Sequence, residues 1–207
     1  MRRLLLSALL AISAFPALAA PLSVRVVDAG GKPVRDAVVS LRSVGQPTPA
    51  PRPGNYAIEQ RNLMFHPFVS VVPVGSTVKF PNFDATRHHV YSFSAAKRFE
   101  FKLFAKDQSR SIIVDRPGTI AVGCNIHDQM AAFLFVTDTA WTARTDASGV
   151  VTFRDAPSGA VSIGVWHPYL RSPDGSMTRK MALGNSAHSE SFAVRLRAPP
   201  VHDMSAY

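Results

Sequence analysis

One stretch governs the fold that we expect, the run Gly118-Thr119-Ile120-Ala121-Val122-Gly123-Cys124-Asn125-Ile126-His127-Asp128-Gln129-Met130. Its first half has the composition of a β-strand that follows a turn. Its second half is a loop that offers a thiol, an imidazole and a thioether at three-residue intervals, from Cys124, His127 and Met130. Such a loop can meet a further ligand on a neighbouring strand only where a β-sheet brings the two together. The stretch therefore predicts a β-rich fold with a metal site at a strand end.

A second source of imidazole lies upstream in Arg87-His88-His89-Val90, inside a predicted strand. Two histidines, one cysteine and a weakly bound methionine form the ligand set of a trigonal type 1 copper site, which passes single electrons. Adjacent side chains of a strand point to opposite faces of the sheet. Only one of His88 and His89 can therefore join the loop ligands, and strand alternation alone leaves open which one.

The middle of the chain contains short runs of β-branched and aromatic residues, separated by Gly, Pro, Asp and Asn, and no convincing amphipathic helix. The predicted strands are 68–72, 77–80, 88–93, 99–104, 109–114, 119–123 and 132–136. Seven or eight short strands at regular spacing predict a Greek-key sandwich or barrel.

Several of these residues resemble the cupredoxins, the type 1 blue-copper family. The loop C-x-x-H-x-x-M is most similar to amicyanin among them, and the opening pattern V-G-x-T-V-x-F followed by an Asn is matched from Val74 to Phe80 with Asn82. The similarity covers about residues 56–136. It implies a plastocyanin-like or amicyanin-like Greek-key sandwich that binds one type 1 copper ion and is not an enzyme.

The same resemblance implies the ligands. Cys124 corresponds to the thiolate, His127 to one imidazole and Met130 to the axial ligand. The family's H-N-V signature aligns with His88-His89-Val90, which makes His88 the other imidazole and leaves His89 as its alternative. The family is one of electron carriers, so the resemblance also implies a periplasmic redox partner such as a dehydrogenase or a c-type cytochrome.

The two ends of the chain carry another β pattern. Segments 24–27 and 37–41 flank a turn at residues 28–33, which predicts a hairpin or a tight β-connection. Together with 141–165, these segments resemble the halves of a transthyretin-like, carboxypeptidase-regulatory (Ig-like) β-sandwich. The resemblance implies that the cupredoxin-like module is inserted into a smaller sandwich or fused with it. The alternative is a plain extension of one β-domain.

The expected organisation has five parts. They are a signal peptide over 1–19, a split sandwich over 20–44 and 138–198, a Pro-rich linker over 45–55, a cupredoxin domain over 56–137 and a flexible tail over 199–207. The signal combines a basic start, an apolar run and a small-residue cleavage box that ends at Ala19. It predicts export to the periplasm, and no later apolar run is long enough to span a membrane.

The chain is basic, with a formal net charge of +9 from 23 Lys and Arg against 14 Asp and Glu. Loss of Arg2 and Arg3 with the signal leaves about +7, which favours a partner with an acidic docking patch. The basic residues are scattered, so nucleic acid is a poor candidate partner.

Other interpretations of the single cysteine exist. It can lie buried and inert, or pair between chains. Structural zinc would need more thiols, and a hydrolase based on Cys124 would need further catalytic partners. His66, His167 and His188 are expected to pack or to lie at the surface, as are His202 and Met204 of the tail. The alternative function is a non-enzymatic module that sequesters or delivers copper, or an adaptor with a structural metal site.

Overall fold

The computed structural model describes residues 20–173 and 175–199. These residues form β-strands joined by turns and loops, with no helix among them, which confirms the predicted all-β class. The predicted signal peptide and almost all of the predicted tail lie outside the described residues. The strands in chain order are β1 (Leu22–Asp28), β2 (Val38–Ser43), β3 (Asn55–Ala57), β4 (Glu59–Arg61), β5 (Met64–His66), β6 (Val69–Pro73), β7 (Thr77–Pro81), β8 (His88–Ser94), β9 (Lys97–Phe104), β10 (Ser109–Ile113), β11 (Gly118–Cys124), β12 (Ala131–Thr137), β13 (Thr142–Arg144), β14 (Val150–Phe153), β15 (Gly159–Trp166), β16 (Ser176–Leu183) and β17 (His188–Val194).

The central segment is built from two main sheets. One has the strand order β6-β12-β11-β8-β9 and the other the order β10-β7-β3. Most neighbouring strands are antiparallel, whereas β6 runs parallel to β12 and β3 runs parallel to β7. The inward side chains of both sheets form one hydrophobic cluster, which includes Phe80, Val90 and Leu134. The result is the β-sandwich that the strand spacing predicted.

Alternation along two neighbouring strands determines which side chains face this core. On β8, His88 and Val90 are buried while Phe93 is 72% exposed. On β11, Val122 and Cys124 are buried. Because the side chains of a strand alternate between the two faces of its sheet, His88 and Cys124 both point to the interior of the sandwich.

The flanking segments form a second pair of sheets, with the orders β14-β1-β17 and β13-β2-β15-β16. Their inward side chains make a separate hydrophobic cluster that draws on both ends of the described chain, from Leu22 to Val194. Strand β1 runs parallel to β17, which joins the start of the described chain to its end. The division into a split sandwich and an inserted domain, which the sequence resemblance implies, stays a prediction.

The turn at residues 28–33 was predicted to be either a hairpin or a tight β-connection, and it is not a hairpin. Strands β1 and β2 lie in different sheets, with only an isolated bridge between Val27 and Pro33. The edges of β1 are already taken by β14 and β17. The turn is therefore the tight connection that carries the chain from one sheet of the sandwich to the other.

Ring contacts and hydrogen bonds join the two parts. Phe133 of β12 lies edge-on to Trp166 of β15, with ring centroids 6.2 Å apart. The Thr139 hydroxyl donates a 2.9 Å hydrogen bond to the Leu41 carbonyl. Among the described residues, no helix has the length and apolar character needed to cross a bilayer.

Candidate metal centre

The centre is built where the ends of two antiparallel neighbours meet. Cys124 is the last residue of β11 and His88 is the first residue of β8. These strands pair with Gly123 opposite Tyr91 and Cys124 opposite Val90, so the end of one strand lies beside the start of the other. The pairing of β8 with β9 has a register irregularity between His88 and Val90, next to the centre. The sheet thus brings the thiol and the first imidazole together.

Three side chains converge at this point. The Cys124 Sγ atom lies 3.8 Å from Nδ1 of His88 and 3.8 Å from Nδ1 of His127. The potential ligand atoms of the three residues all lie within 4.8 Å of one another. His88 is 0% exposed, Cys124 4% and His127 8%. The centre is therefore compact and closed to bulk water.

The loop after β11 is held in a tight turn. The Met130 amide donates to the His127 carbonyl at 3.0 Å, and the Cys124 amide donates to the Met130 carbonyl at 3.3 Å. These bonds bring the start of the loop back to its end. Met130 is 1% exposed and belongs to the central hydrophobic cluster together with Cys124. The fourth predicted ligand is thus buried in the same core and joined to the centre through the backbone.

The structure brings only the first of the two adjacent histidines to the cysteine. His89 points away from it, with its Nε2 atom 3.0 Å from Oε1 of Glu100. That separation is short enough for an ion pair but lacks the alignment of a hydrogen bond. His88 therefore lies in the cluster and His89 lies outside it.

Asp84 is a member of the site that the sequence analysis missed. Its Oδ2 atom lies 2.9 Å from Nε2 of His88. The available signal was a carboxylate four residues before a candidate ligand, in the loop that follows the strand end at Pro81. A histidine that binds a metal usually donates its second ring N–H to a carboxylate or a carbonyl, so a carboxylate at this spacing is a candidate partner for His88.

The pKa values of this pair shift in a direction that suits metal binding. Burial lowers the pKa of His88, and Asp84 offsets this only in part. Burial also opposes ionisation of Asp84, but hydrogen bonds from His88 and from the backbone of Leu63 and Asn62 lower the pKa of its carboxyl group overall. At neutral pH, His88 is therefore a neutral imidazole with one free lone pair, and Asp84 is a carboxylate.

The remaining histidines that the structure describes lie elsewhere. His66 is exposed on β5. His167 is buried, and its Nδ1 atom accepts a hydrogen bond from the Tyr169 amide at 3.2 Å. His188 pairs with Glu190 at 2.9 Å. Across residues 20–173 and 175–199, the only cluster of three or more His, Cys, Asp or Glu side chains suited to a metal is the one at Cys124. His202 and Met204 are outside the described residues.

The distances within the cluster fit a metal ion held by three ligands in a trigonal arrangement. With bonds of about 2.3 Å to sulfur and about 2.0 Å to imidazole nitrogen, a planar three-ligand site separates the sulfur from each nitrogen by about 3.7 Å. Both sulfur–nitrogen distances in this structure are 3.8 Å. Soft thiolate and imidazole donors suit copper. The spacing therefore fits a three-coordinate transition-metal ion, and the donor chemistry fits copper.

Comparisons with known proteins give a likeness to solved structures only. A scan against protein-family models finds no match, and neither does a comparison with curated proteins. A purple cupredoxin from Nitrosopumilus maritimus aligns at 18% identity and a TM-score of 0.37, over 40% of this chain and 99% of that one. Amicyanin from Paracoccus versutus (Thiobacillus versutus) aligns at 19% identity and a TM-score of 0.37, over 40% of this chain and 81% of that one.

A copper-containing nitrite reductase from Thermus scotoductus SA-01 is also similar, at 23% identity and a TM-score of 0.39. That alignment covers 56% of this chain but only 28% of the reductase. The purple cupredoxin and the amicyanin belong to the family that the sequence motifs of this chain resemble. At these identities and TM-scores, the likeness carries no conclusion about activity. What the chain does is inferred from its own side chains.

Proposed function

We propose that this protein is a type 1 copper protein that carries single electrons between redox partners in the periplasm. The observation that carries the proposal is the buried triangle of Cys124, His88 and His127, with both sulfur–nitrogen edges at 3.8 Å. A bound copper ion would supply the Cu(II)/Cu(I) couple. Cys124 would hold it through Sγ, and the two histidines would hold it through their Nδ1 atoms.

The polypeptide contributes rigidity to this site. His88 and Cys124 are the end residues of paired strands, and their neighbours Val90 and Val122 are almost completely buried. Side chains fixed by a close-packed core change position little when the charge at the centre changes. Little rearrangement favours fast electron transfer, because few atoms must move when the oxidation state changes.

Met130 would hold the ion weakly through its thioether sulfur. It is 1% exposed, lies in the same core as Cys124 and is tied to the centre through its backbone. A weak thioether ligand is typical of electron-transfer copper sites and tunes their reduction potential.

His127 is proposed as the route by which electrons leave the centre. It has the largest exposed fraction of the three clustered side chains, at 8%, and its neighbour Ile126 is 39% exposed. A histidine edge next to exposed apolar surface can approach a partner closely. The adjacent Asp128 is exposed and adds a negative charge to this rim.

The partner and the location are proposals supported by the sequence alone. The net charge is +9 for the full sequence and about +7 without Arg2 and Arg3, and it favours a partner with an acidic docking patch through steering of the encounter. A periplasmic dehydrogenase or a c-type cytochrome would be suitable. The apolar segment before Ala19 supports export by a signal peptide.

Copper delivery is less well supported by the geometry. A delivery protein must give up its ion readily, whereas Cys124, His88 and Met130 are all 4% exposed or less. Competition with a strong Cu(I) chelator separates the two functions. A carrier retains its ion over the time of the assay, and a donor transfers it.

The experiment that tests the proposed function is copper loading of the mature protein. Wild-type protein is expected to develop an intense visible absorption from thiolate-to-copper charge transfer and a reversible one-electron wave. Cys124→Ser is expected to abolish the colour, and His89→Gln, at a histidine outside the cluster, is the matched control that should keep it. A colourless copper-loaded wild-type protein would overturn the proposal.

A further inference from the structure

The carboxylate of Asp84 closes the outer side of the centre. Its Oδ2 atom lies 2.9 Å from Nε2 of His88, on the ring edge opposite to the Nδ1 atom that faces Cys124. The His88 side chain is 0% exposed and that of Asp84 is 12% exposed. A charge-assisted contact of this length, shielded from water, is stronger than a surface ion pair.

The position of the carboxylate is itself determined by a turn. The amide of Asn62 donates to Oδ1 of Asp84 at 2.6 Å, and the amide of Leu63 donates to Oδ2 at 3.1 Å. Asn62 and Leu63 have φ angles of 54° and 55°, the left-handed pair of a tight two-residue turn between β4 and β5. That conformation is unfavourable for leucine, so the surrounding structure must hold it. Here it directs two successive amides at one carboxylate.

The other side of Asp84 is tied to the core. Its amide donates to Oδ1 of Asn82 at 2.9 Å. The buried Asn82 side chain in turn donates to the carbonyls of Thr86, at 2.8 Å, and Phe104, at 3.1 Å. The loop from Asn82 to His88 is therefore braced at both ends, and Asp84 cannot turn away from the histidine without breaking several hydrogen bonds.

An ionised carboxylate can only accept hydrogen bonds. His88 must therefore carry its proton on Nε2 when it bonds to Asp84, and this leaves the Nδ1 lone pair directed at the centre, 3.8 Å from the Cys124 sulfur. A carboxylate partner also makes the ring a stronger electron donor. A stronger donor with a nearby negative charge stabilises the more positive ion, Cu(II), relative to Cu(I).

We propose that Asp84 is a positioning residue that fixes the orientation and the proton of His88 and lowers the reduction potential of the copper centre. The inference rests on the proposed electron-transfer function. It adds a partner for His88 from outside the predicted ligand set and assigns to the β4–β5 turn the role of holding that partner.

The chain offers a matched control one residue along the same strand. His89 also has a carboxylate neighbour, Glu100, with its Oε1 atom 3.0 Å away. Glu100 is 53% exposed, and the pair faces away from Cys124. Asp84→Asn and Glu100→Gln each remove one negative charge beside a histidine, but only the first histidine belongs to the centre.

The test measures the midpoint potential of copper-loaded full-length mature protein. In Asp84→Asn, the equilibrium constant for Cu(I) over Cu(II) is expected to be at least tenfold larger than in the wild type. This corresponds to a rise in the midpoint potential of about 59 mV for a one-electron couple. Copper affinity is expected to fall by about 10-fold to 100-fold. Glu100→Gln is expected to change neither quantity. An Asp84→Asn potential equal to that of Glu100→Gln would overturn the inference.

A second readout needs no copper. Nitrogen NMR of the metal-free wild-type protein is expected to show His88 protonated on Nε2, and Asp84→Ala is expected to mix the two tautomers. If Asp84→Asn fails to fold, Asp84→Ser carries the same expectation for the potential and the same refutation. A wild-type protein that forms no coloured copper site sinks the proposed function. A coloured wild type whose potential Asp84→Asn leaves unchanged sinks only the role of Asp84.

Discussion

The Sγ atom of Cys124 lies 3.8 Å from Nδ1 of His88, although the two residues are 36 positions apart in the chain. The contact depends on two antiparallel strands, since Cys124 ends β11 and His88 begins β8. The adjacent loop adds His127 at the same distance from the sulfur. Long-range strand pairing and a short local loop thus build the centre together.

Replacing His88 tests the assignment of the first imidazole. His88→Gly is expected to open one position of the trigonal set, so that the copper-loaded protein loses its visible colour and regains it when free imidazole is added. His89→Gly is the matched control and is expected to keep its colour without imidazole, because His89 faces Glu100. Optical titration with imidazole measures both variants. Imidazole-dependent colour in His89→Gly instead would reverse the assignment.

Replacing Met130 tests the axial ligand. Met130→Leu removes the weak sulfur donor but keeps a buried apolar side chain of similar volume, so the fold should lose less than about 1.5 kcal/mol. Colour is expected to remain, and the reduction potential is expected to rise, because the axial donor stabilises Cu(II). Voltammetry provides the measurement. Met177→Leu in the flanking cluster is the control, and an equal potential in the two variants would argue against an axial role.

Cavity substitutions test the division into two parts. Phe192 is 1% exposed in the flanking cluster and Phe80 is 0% exposed in the central one. Each change to alanine is expected to cost about 3–5 kcal/mol of stability in its own core. In denaturant titrations of Phe192→Ala, the first unfolding transition seen by circular dichroism should occur at a lower denaturant concentration than the loss of the copper colour. Simultaneous loss of both signals would show that the chain unfolds as one unit.

His167 should make the flanking part sensitive to acid. Burial lowers the pKa of His167, with a smaller opposing effect from Asp36, and its Nδ1 atom accepts a hydrogen bond from the Tyr169 amide. Below about pH 6.5 the unfolded chain takes up a proton at this histidine that the folded chain does not. Stability should therefore fall as the pH drops from there toward the lowered pKa, by at most about 1.4 kcal/mol per pH unit.

A substitution that cannot titrate checks this acid dependence. His167→Asn keeps an acceptor for the Tyr169 amide and should flatten the decline in stability between neutral and mildly acidic pH. His66→Asn changes an exposed histidine on β5 and should leave the decline as it is. Denaturant unfolding of the metal-free protein at several pH values provides the measurement. An unchanged slope in His167→Asn would show that another group is responsible.

The local parts of the site could be read from the sequence because they depend on spacing alone. A strand that ends at Cys124 and a six-residue loop that ends at Met130 need no knowledge of distant pairing. The choice between His88 and His89 was harder. The outward face of β8 also carries Tyr91 and the exposed Phe93, so the hydrophobic pattern does not mark the buried face, and only the packed core does.

The non-local parts could not be read in the same way. Strand β1 pairs with β17, more than 160 residues away, so the turn after Asp28 gives no sign that β2 joins another sheet. The role of Asp84 depends on a turn at Asn62 and Leu63 that reaches it across the fold. Contacts of this kind follow from tertiary packing, which short-range patterns in the sequence do not specify.

Electron paramagnetic resonance of the Cu(II)-loaded mature protein provides the most direct test. A short, covalent bond from the Cys124 thiolate spreads the unpaired electron onto sulfur, so the spectrum should have the narrow parallel hyperfine splitting of a type 1 site, and Cys124→Ser should lose it. A wide splitting typical of tetragonal copper in the wild-type protein, unchanged in Cys124→Ser, would contradict the proposal that this sulfur and the imidazoles of His88 and His127 hold a redox-active copper ion.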